Sequence, residues 1–240
     1  MGRATIVTGG ASGIGAATSI ALKSNGYDVV ATCSSSLERA AAFSEETGIA
    51  VLQWDVADFE ACRDGVSRAE ALVGPIEVLV NNAGITDDAF LHKMTPDHWN
   101  RVISVDLSGC FNMCRHVIEG MRERRYGRII NISSLNGLSG QIGQTNYAAA
   151  KAGVIGFTKA LALECAHVGV TVNAVAPGYT DTPMVSAVRP DILKGVIDGI
   201  PIHRLARPDE IARGVVFLAS DDAGFITGET LSINGGKYMQ

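Results

Sequence analysis

The chain lacks any apolar run approaching the ~20 residues that a helix needs to span a bilayer. It also lacks an excess of positive charge, because its 20 Lys and Arg are outnumbered by 25 Asp and Glu and the net charge is −5. This balance argues against a nucleic-acid partner. The first residues show no charged region followed by an apolar core, as a signal peptide would. We therefore expect a cytoplasmic protein with no membrane partner and no nucleic-acid partner.

Cysteine and histidine are too few and too scattered for a disulfide framework or a metal centre. The five cysteines are an odd number and contain no Cys-x-x-Cys pair, which is typical of reduced thiols inside a cell. The five histidines have no ligand spacing with cysteines or carboxylates, so we expect no metal site. Apolar residues at 47% with charged residues at 19% are the proportions of a globular protein.

Short runs rich in Val, Ile and Leu alternate with longer amphipathic segments along the whole chain. The predicted strands are 5–8, 28–33, 50–54, 77–81, 128–132, 170–175 and 230–233, and the predicted helices are 13–25, 37–47, 59–73, 95–124, 146–167 and 209–219. Continuous apolar content suits strands that are covered on both faces. Strand–helix alternation of this kind predicts a three-layer, doubly wound α/β fold around a parallel sheet. We expect one domain over residues 1–240.

The segment 179–206 does not follow this alternation. It contains three prolines and lies between the sixth predicted strand and the last predicted helix. Insertions at that point lie above the carboxyl ends of the strands, where ligands bind in open α/β folds. We interpret the segment as a lid of short helices over a substrate, although an ordinary surface excursion fits the sequence equally well.

A glycine-rich turn follows the first predicted strand and begins the first predicted helix. It reads Thr-Gly-Gly-Ala-Ser-Gly-Ile-Gly over residues 8–15. Its glycines allow a tight turn and a close approach of the backbone to a pyrophosphate at the positive end of the helix. A turn without a ligand is the alternative, but the strand–turn–helix context favours a dinucleotide. The cofactor-binding residues predicted in this turn are Gly9, Ser12, Gly13, Ile14 and Gly15.

The end of the second predicted strand bears on the choice of dinucleotide. NAD enzymes usually have a carboxylate there to bind the ribose 2′-hydroxyl, but this chain has Ser34, Ser35 and Ser36. Their hydroxyls and the nearby Arg39 suit a 2′-phosphate. The sequence thus favours NADP(H), and NAD(H) is not excluded.

Three further loops follow the carboxyl ends of predicted strands and complete the expected cofactor site. Small residues in Asn-Asn-Ala-Gly at 81–84 permit a nucleotide to pass closely, and Pro-Gly at 177–178 presents backbone groups to a carboxamide. The cofactor-binding residues predicted in these loops are Asp55, Val56, Asn82, Ala83, Gly84, Pro177, Gly178 and Thr182.

The stretch 133–151 carries the groups most suited to catalysis. Ser134 follows the end of a strand, and Tyr147 and Lys151 are one helical turn apart and share a face. A protonated Lys beside a Tyr favours the phenolate and lowers the pKa of the Tyr, which then transfers a proton more readily. Ser134 would donate to an oxygen on which charge develops. A buried Tyr and a surface Lys on an ordinary helix are the alternative for that pair alone.

Taken together, these motifs resemble the short-chain dehydrogenase/reductase family: Thr-Gly-x-x-x-Gly-x-Gly at 8–15, Asn-Asn-Ala-Gly at 81–84, Ser134, Tyr147-x-x-x-Lys151 and Pro-Gly at 177–178. The resemblance covers essentially the whole chain and implies a Rossmann fold with a seven-stranded parallel sheet. It implies that Tyr147 donates the proton, that Ser134 polarises the substrate oxygen, and that Lys151 holds the nicotinamide ribose. Tyr147 and Lys151 are also expected to contact the cofactor.

Within that family the chain is most similar to the bacterial acetoacetyl-CoA reductases of the polyhydroxybutyrate pathway. The similarity lies in Asn-Asn-Ala-Gly-Ile-Thr at 81–86, His-Lys-Met-Thr at 92–95 and Gly-Gln-Thr-Asn-Tyr at 143–147. It implies a small acyl thioester as substrate, an (R)-3-hydroxyacyl-CoA as product and a homotetramer. It also implies that Gln141, Gln144 and Tyr179 face the thioester. The 3-oxoacyl-carrier-protein reductases share much of this pattern and are the alternative.

Two positions depart from the family pattern. The family has Asn where this chain has Asp106, and that Asn completes a catalytic tetrad by holding a water in the proton relay. An ionised Asp accepts hydrogen bonds but does not donate them, so we expect an altered relay that still works, with Asp106 as a catalytic candidate. Many relatives have a Lys or Arg where this chain has Asp87, and a base there would meet a CoA phosphate.

Two other kinds of function fit parts of the sequence. An NAD-dependent dehydrogenase of a sugar or secondary alcohol shares the fold, but the missing acid after the second strand counts against it. A non-catalytic dinucleotide sensor on the same fold needs no Tyr–Lys pair, and only Asp106 favours it.

Overall fold

The structure is a computed structural model that describes residues 2–186 and 189–239. Its strands are β1 (Ala4–Val7), β2 (Asp28–Cys33), β3 (Ala50–Gln53), β4 (Val78–Asn81), β5 (Gly127–Ile132), β6 (Val170–Pro177) and β7 (Thr230–Ile233). They form one parallel sheet in the order β3-β2-β1-β4-β5-β6-β7. The seven-stranded Rossmann-like α/β fold is confirmed, and each strand ends within two residues of its predicted bounds.

Helices pack against both faces of this sheet. They are α1 (Gly13–Ser24), α2 (Leu37–Thr47), α3 (Phe59–Val73), α4 (Pro96–Ile103), α5 (Gly109–Arg124), α6 (Leu135–Ser139), α7 (Thr145–Cys165), α8 (Pro183–Ser186), α9 (Pro190–Asp198) and α10 (Pro208–Ala219). In the part of the chain so described, no helix is long and apolar enough to cross a membrane.

Two apolar cores lie on opposite sides of the sheet because side chains alternate along a strand. Ile6 and Leu79 pack on one side with residues of α3, α5 and α7, such as Met113. Val7 and Val80 pack on the other side with residues of α1, α2 and α10. The strands are therefore buried on both faces, as their continuous apolar sequences predict.

The predicted long helix 95–124 is wrong in one respect, because a π-helical turn at Ser104–Ser108 separates α4 from α5. This turn contains the fully buried Asp106, whose Oδ1 accepts a hydrogen bond from the backbone N–H of Ile85 at 2.8 Å. One extra residue in a turn redirects a side chain, and here it directs the carboxylate toward the carboxyl ends of the strands. The periodicity of the sequence does not predict this π-helical turn.

A short helix, α6, begins directly after Ser134. The Ser134 hydroxyl caps α6 by accepting from the N–H of Asn136 at 3.1 Å. The segment 179–206 contains α8 and α9, and its two ends are joined by hydrogen bonds from Ala206 to Tyr179 and from Asp181 to Ala206, each at 2.9 Å. Residues 187–188 of this predicted lid lie outside the described residues.

Candidate active site

Two adjoining cavities open at the carboxyl ends of the strands. The first, of about 320 Å³, is lined by the loops after β1, β4, β5 and β6 and by the beginnings of α7 and α8. The second, of about 590 Å³, extends past the ends of β2 and β3. They share Gly9, Ser12, Ala83 and Gly84, so they form one continuous cleft.

The structure brings most of the predicted site residues to this cleft. The first cavity is lined by Gly9, Ser12, Gly13, Ile14, Asn82, Ala83, Gly84, Ser134, Gln144, Tyr147, Lys151, Pro177, Gly178, Tyr179 and Thr182. The second is lined by Ser34, Ser35, Arg39, Asp55 and Val56. Three predicted residues line neither cavity. Gly15 lies within α1, Asp106 lies behind Lys151, and Gln141 is exposed outside the cleft.

The glycine turn is packed so closely that side chains are excluded. Gly9 has a φ of +61°, and a Cβ there would lie 3.1 Å from Asn82 Nδ2. A Cβ on Gly15 would lie 2.2 Å from the carbonyl oxygen of Gly9. Asn82 joins this turn to the loop after β4, since its Nδ2 donates to the carbonyl of Thr8 at 2.9 Å. A bare backbone in front of the N-terminus of a helix fits a dinucleotide pyrophosphate.

The part of the cleft beyond the ends of β2 and β3 has polar groups suited to a phosphate. The exposed Ser34, Ser35 and Arg39 line it directly after β2, and no carboxylate from that strand end faces them. Asp55 lies across the cavity, where its Oδ1 accepts from the N–H of Ala57 at 2.9 Å.

Ser134, Tyr147 and Lys151 meet at one wall of the first cavity. The strand end of β5 and the start of α6 fix the backbone of Ser134. Lys151 is buried, and its Nζ donates to the carbonyl of Ile132 at 3.0 Å and lies 5.5 Å from the centre of the Tyr147 ring. Ser133 Oγ donates to the carbonyl of Lys151 at 2.8 Å, which ties α7 to the end of β5.

The electrostatic balance at Tyr147 differs from the prediction. Burial raises the pKa of Tyr147, while the Lys151 ammonium and a hydrogen bond with Ser134 lower it. The effect of Lys151 has the predicted sign, but burial outweighs it and the net pKa is raised. The nearby Asp106 carboxylate adds to the increase. A pattern of four-residue spacing gives no information about burial, which is why the expectation missed this result.

Asp106 and Lys151 form a buried ion pair, with 3.2 Å between Oδ2 and Nζ. Burial works to lower the pKa of Lys151, but Asp106 and then Tyr147 outweigh it and raise that pKa. Burial raises the pKa of Asp106 above its usual value, and it outweighs the opposing effects of Lys151 and the Ile85 N–H. Since Oδ1 accepts from the Ile85 N–H and Oδ2 lies within ion-pair distance of the Lys151 nitrogen, we assign the pair as ammonium and carboxylate.

A second polar network crosses the open end of the first cavity and was missed by the sequence analysis. Asn136 Nδ2 donates to Gln144 Oε1 at 2.8 Å, and Gln144 Nε2 donates to Asp88 Oδ2 at 2.9 Å. The amide of Gln144 is thus oriented by both neighbours. Asn136 is recognisable in hindsight from its place after the capping Ser134, but nothing in the sequence around Asp88 indicates this pairing.

Asn146 holds the beginning of α7 against the loop that carries Asp88. It is fully buried, and its Nδ2 donates to the carbonyls of Asp87 and His98 at 2.9 and 3.0 Å. Its Oδ1 accepts from the N–H of Tyr147 at 2.8 Å. The position of Tyr147 therefore depends on contacts between segments far apart in the sequence.

Comparison with known proteins gives full-length matches. Residues 9–237 match the family described as Enoyl-(Acyl carrier protein) reductase. Acetoacetyl-CoA reductases of Shinella zoogloeoides and Rhizobium meliloti are 59% and 57% identical over 240 residues, with 100% of each chain covered. The 3-oxoacyl-(acyl-carrier-protein) reductase FabG of Vibrio harveyi is 47% identical, with 99% of this chain and 98% of that protein covered.

Proposed function

Because this chain belongs to the short-chain dehydrogenase/reductase family, as an oxidoreductase that uses a nicotinamide dinucleotide, we propose that it reduces acetoacetyl-CoA to the (R)-3-hydroxyacyl-CoA with NADPH. The observation that carries this proposal is the meeting of Ser134, Tyr147 and Lys151 at one wall of a cleft whose other walls are the glycine turn and the loops after β4 and β6. A carbonyl bound at that wall has a proton donor beside it.

In this proposal the chain's own groups act on the carbonyl oxygen of the substrate. Bound in the cleft, the cofactor supplies a hydride to the carbonyl carbon. The Tyr147 hydroxyl gives its proton to the oxygen as negative charge develops there. The Ser134 hydroxyl donates a hydrogen bond to the same oxygen and stabilises that charge. Lys151 binds the nicotinamide ribose, and the part of its charge that Asp106 leaves uncancelled favours the phenolate that Tyr147 leaves behind.

The preference for NADPH is supported by the end of β2. Ser34, Ser35 and Arg39 line the adenosine end of the cleft, and hydroxyl and guanidinium donors suit a 2′-phosphate. No carboxylate from that strand end is present to bind a ribose hydroxyl or to repel the phosphate. Asp55, Val56 and the loop residues Asn82, Pro177, Gly178 and Thr182 would hold the remaining parts of the dinucleotide.

For the substrate, we propose that Gln144 and Tyr179, which line the first cavity, contact the thioester. Gln141 is then left at the rim, where it would contact only the outer part of the substrate. Met184 and Val185 of the segment 179–206 also line the cavity, which supports the role of that segment as a lid on a single domain. Since the chain resembles the acetoacetyl-CoA reductases of the polyhydroxybutyrate pathway, we further propose that it acts in polyhydroxybutyrate synthesis in the cytoplasm.

A homotetramer is part of the same proposal. Phe111 on α5, Leu163 on α7 and Phe225 before β7 are large apolar side chains with 50%, 83% and 103% of their surface exposed. Contacts between copies of the chain would cover such side chains. Light scattering on the purified protein measures the mass, and a monomeric mass at micromolar concentration contradicts the tetramer.

The experiment follows oxidation of NADPH and of NADH in parallel with acetoacetyl-CoA, using the Tyr147→Phe variant as the inactive control. We expect turnover with a clear preference for NADPH. Turnover that prefers NADH would retain the reaction and contradict the assignment of Ser34, Ser35 and Arg39. Absence of turnover with acetoacetyl-CoA would contradict the substrate.

Reduction of a 3-oxoacyl group on a carrier protein is the second candidate function. It is favoured by Asp87, which occupies a position where a base would meet a CoA phosphate and whose carboxylate is paired with Arg101 at 3.0 Å. The same assay with a 3-oxoacyl-carrier-protein distinguishes the two. A higher kcat/KM for the carrier-protein thioester than for acetoacetyl-CoA would replace the first proposal with this one.

A further inference from the structure

The Asp106 carboxylate lies behind the wall formed by Ser134, Tyr147 and Lys151. The proposed reaction does not itself require this charged group. It is fully buried in the π-helical turn between α4 and α5, and Lys151 is 3% exposed. One carboxylate oxygen accepts from the Ile85 N–H at 2.8 Å, and the other lies 3.2 Å from the ammonium. The ammonium nearest to Tyr147 is thus already paired with a negative charge.

The surroundings of this pair hold few other charges. On α5, the Cys110 thiol donates to the backbone carbonyl of Asp106 at 3.5 Å, and burial raises its pKa to about 11, so it is neutral. On α7, the titratable groups nearest the pair are Tyr147 and Lys151 themselves, and Lys159, Glu164 and Cys165 lie at least two turns further along the helix. From the loop after β4, Asp88 acts on Tyr147 more weakly than Asp106 does. The Ile132 end of β5 contributes only a carbonyl.

Gly84 packs directly against the pair. A Cβ at this position would lie 2.8 Å from Asp106 Oδ2 and 3.2 Å from Lys151 Nζ, so only glycine lets the backbone pass here. The backbone at Gly84 therefore covers the Asp106 side of the pair, while Lys151 still borders the cleft. Because water is excluded on this side, the interaction among Asp106, Lys151 and Tyr147 is stronger than it would be at a surface.

We propose that Asp106 is a positioning residue that holds Lys151 as an ammonium and cancels much of the charge of that ammonium at Tyr147. The Tyr147 phenol therefore keeps its proton to higher pH than it would with an uncharged residue at position 106. Reduction accordingly continues to higher pH. The part that concerns reduction rests on the proposed function. The part that concerns the phenol does not, because it requires no substrate.

The sign of the effect follows from the charges. With Asp106 ionised, Tyr147 faces a nearly neutral pair, and burial governs its ionisation. Asp106→Asn removes the negative charge and leaves the ammonium unbalanced. An unbalanced opposite charge within about 4–6 Å typically lowers a pKa by about one to three units. The variant should therefore form the Tyr147 phenolate at lower pH.

The test is a titration of Tyr147 by the ultraviolet absorbance of phenolate in protein without cofactor or substrate. Subtracting the same titration of Tyr147→Phe, made in the wild-type and in the Asp106→Asn background, isolates this one phenol. We expect the midpoint to fall by about one pH unit or more in Asp106→Asn. The pH at which kcat/KM for reduction falls on the alkaline side should move down by the same amount.

Asp87→Asn is the matched control, because it also removes one carboxylate near the cleft. The Asp87 side chain pairs with Arg101 rather than with Lys151, so we expect the Tyr147 midpoint to stay where it is. Asp106→Ser supplies a second uncharged side chain in case Asp106→Asn does not fold, and it should produce the same downward shift. Circular dichroism verifies the fold of each variant at each pH.

A Tyr147 midpoint that is unchanged or raised in a folded, uncharged variant at position 106 would overturn the inference. So would an equal shift in Asp87→Asn, because the effect would then not be specific to the buried pair. If the midpoint shifts as expected while acetoacetyl-CoA is not reduced, the role of Asp106 holds and only the proposed substrate fails.

Discussion

At the residue scale, the proposed chemistry depends on a single hydroxyl group. Tyr147→Phe removes the proton donor while leaving the ring in place. We expect kcat to fall by about 10²–10⁴-fold, the usual contribution of a positioned acid. Binding of NADPH, measured by protein fluorescence, should change little, because the ring and Lys151 remain.

The matched control for that change is Tyr238→Phe, which removes a hydroxyl near the end of the described chain, outside both cavities. Its kcat should equal that of the wild type. Retention of more than a tenth of wild-type kcat by Tyr147→Phe would assign the proton transfer to another group.

Arg39 is the residue that tests the choice of cofactor. If its guanidinium binds the 2′-phosphate, Arg39→Ala removes a charge-assisted hydrogen bond worth about 1.5–3 kcal/mol, which corresponds to a tenfold or larger rise in KM for NADPH. The KM for NADH should stay unchanged, because that cofactor has no 2′-phosphate. Arg63→Ala, which removes an exposed Arg on α3 outside the cleft, is the control. Equal effects of Arg39→Ala on both cofactors would contradict the assignment.

Residue positions at the site were predictable where a motif fixes local geometry. The glycine turn, Ser134 and the Tyr147–Lys151 pair each lie in a short stretch whose conformation is set by near neighbours, and all three motifs reach the cleft. The pairing of Gln144 with Asp88 was not predictable, because it joins residues 56 positions apart. The raised pKa of Tyr147 was missed for the same reason, since burial is a property of the assembled site.

At the scale of elements, the junction of β1 and α1 is the most tightly constrained part of the cleft. Gly15→Ala would put a methyl group 2.2 Å from the Gly9 carbonyl oxygen and 2.5 Å from Asn82 Nδ2. The turn must shift to relieve these contacts, and a misplaced turn no longer fits the pyrophosphate. We expect weaker cofactor binding by calorimetry and a lower Tm.

Gly156→Ala is the control for that prediction, because it makes the same chemical change within α7 at a site with nothing within 4 Å of the new Cβ. A helix gains stability from such a change, by about 0.4–1 kcal/mol. If Gly15→Ala behaves like Gly156→Ala in both measurements, close packing is not the reason for glycine at position 15.

The division of the predicted helix 95–124 into α4 and α5 is also an effect at this scale. A helical pattern continues through Ser104–Ser108, but the structure has a wider π-helical turn there, in which Asp106 accepts from the Ile85 N–H and pairs with Lys151. Tertiary contacts thus override the local periodicity.

At the scale of the whole molecule, a cluster of charges at the amino ends of the strands joins distant parts of the chain. Arg3 precedes β1, Arg128 lies in β5, and both guanidinium groups pack on the Tyr126 ring at 4.6 and 4.5 Å from its centre. Both also pair with Asp221, which follows α10, and the Arg128 contact measures 3.4 Å. The hydrogen bond from Arg3 lowers the pKa of Asp221.

A lowered pKa in the folded state means that the ionised Asp221 stabilises the fold. This contribution is complete above the pKa of an unfolded Asp and is lost as pH falls through the lower pKa of the folded state. We expect Asp221→Asn to reduce the free energy of unfolding at neutral pH, as measured by urea denaturation, and the difference from wild type to disappear in acid. Asp222→Asn is the neighbouring exposed control, and an equal effect of the two changes would exclude a specific role for the cluster.

The sequence by itself determined the sheet, the alternation of strands and helices, and the position of the glycine turn, the serine and the Tyr–Lys pair. These features depend on short-range rules, since apolar runs, capping residues and four-residue spacing act over a few neighbours. The tertiary structure alone decided that Asp106 turns inward to pair with Lys151, that Asn146 fixes the start of α7, and that burial governs Tyr147. Each of these depends on the distance between residues far apart in the chain and on the exclusion of water around them, and neither quantity exists until the elements have packed.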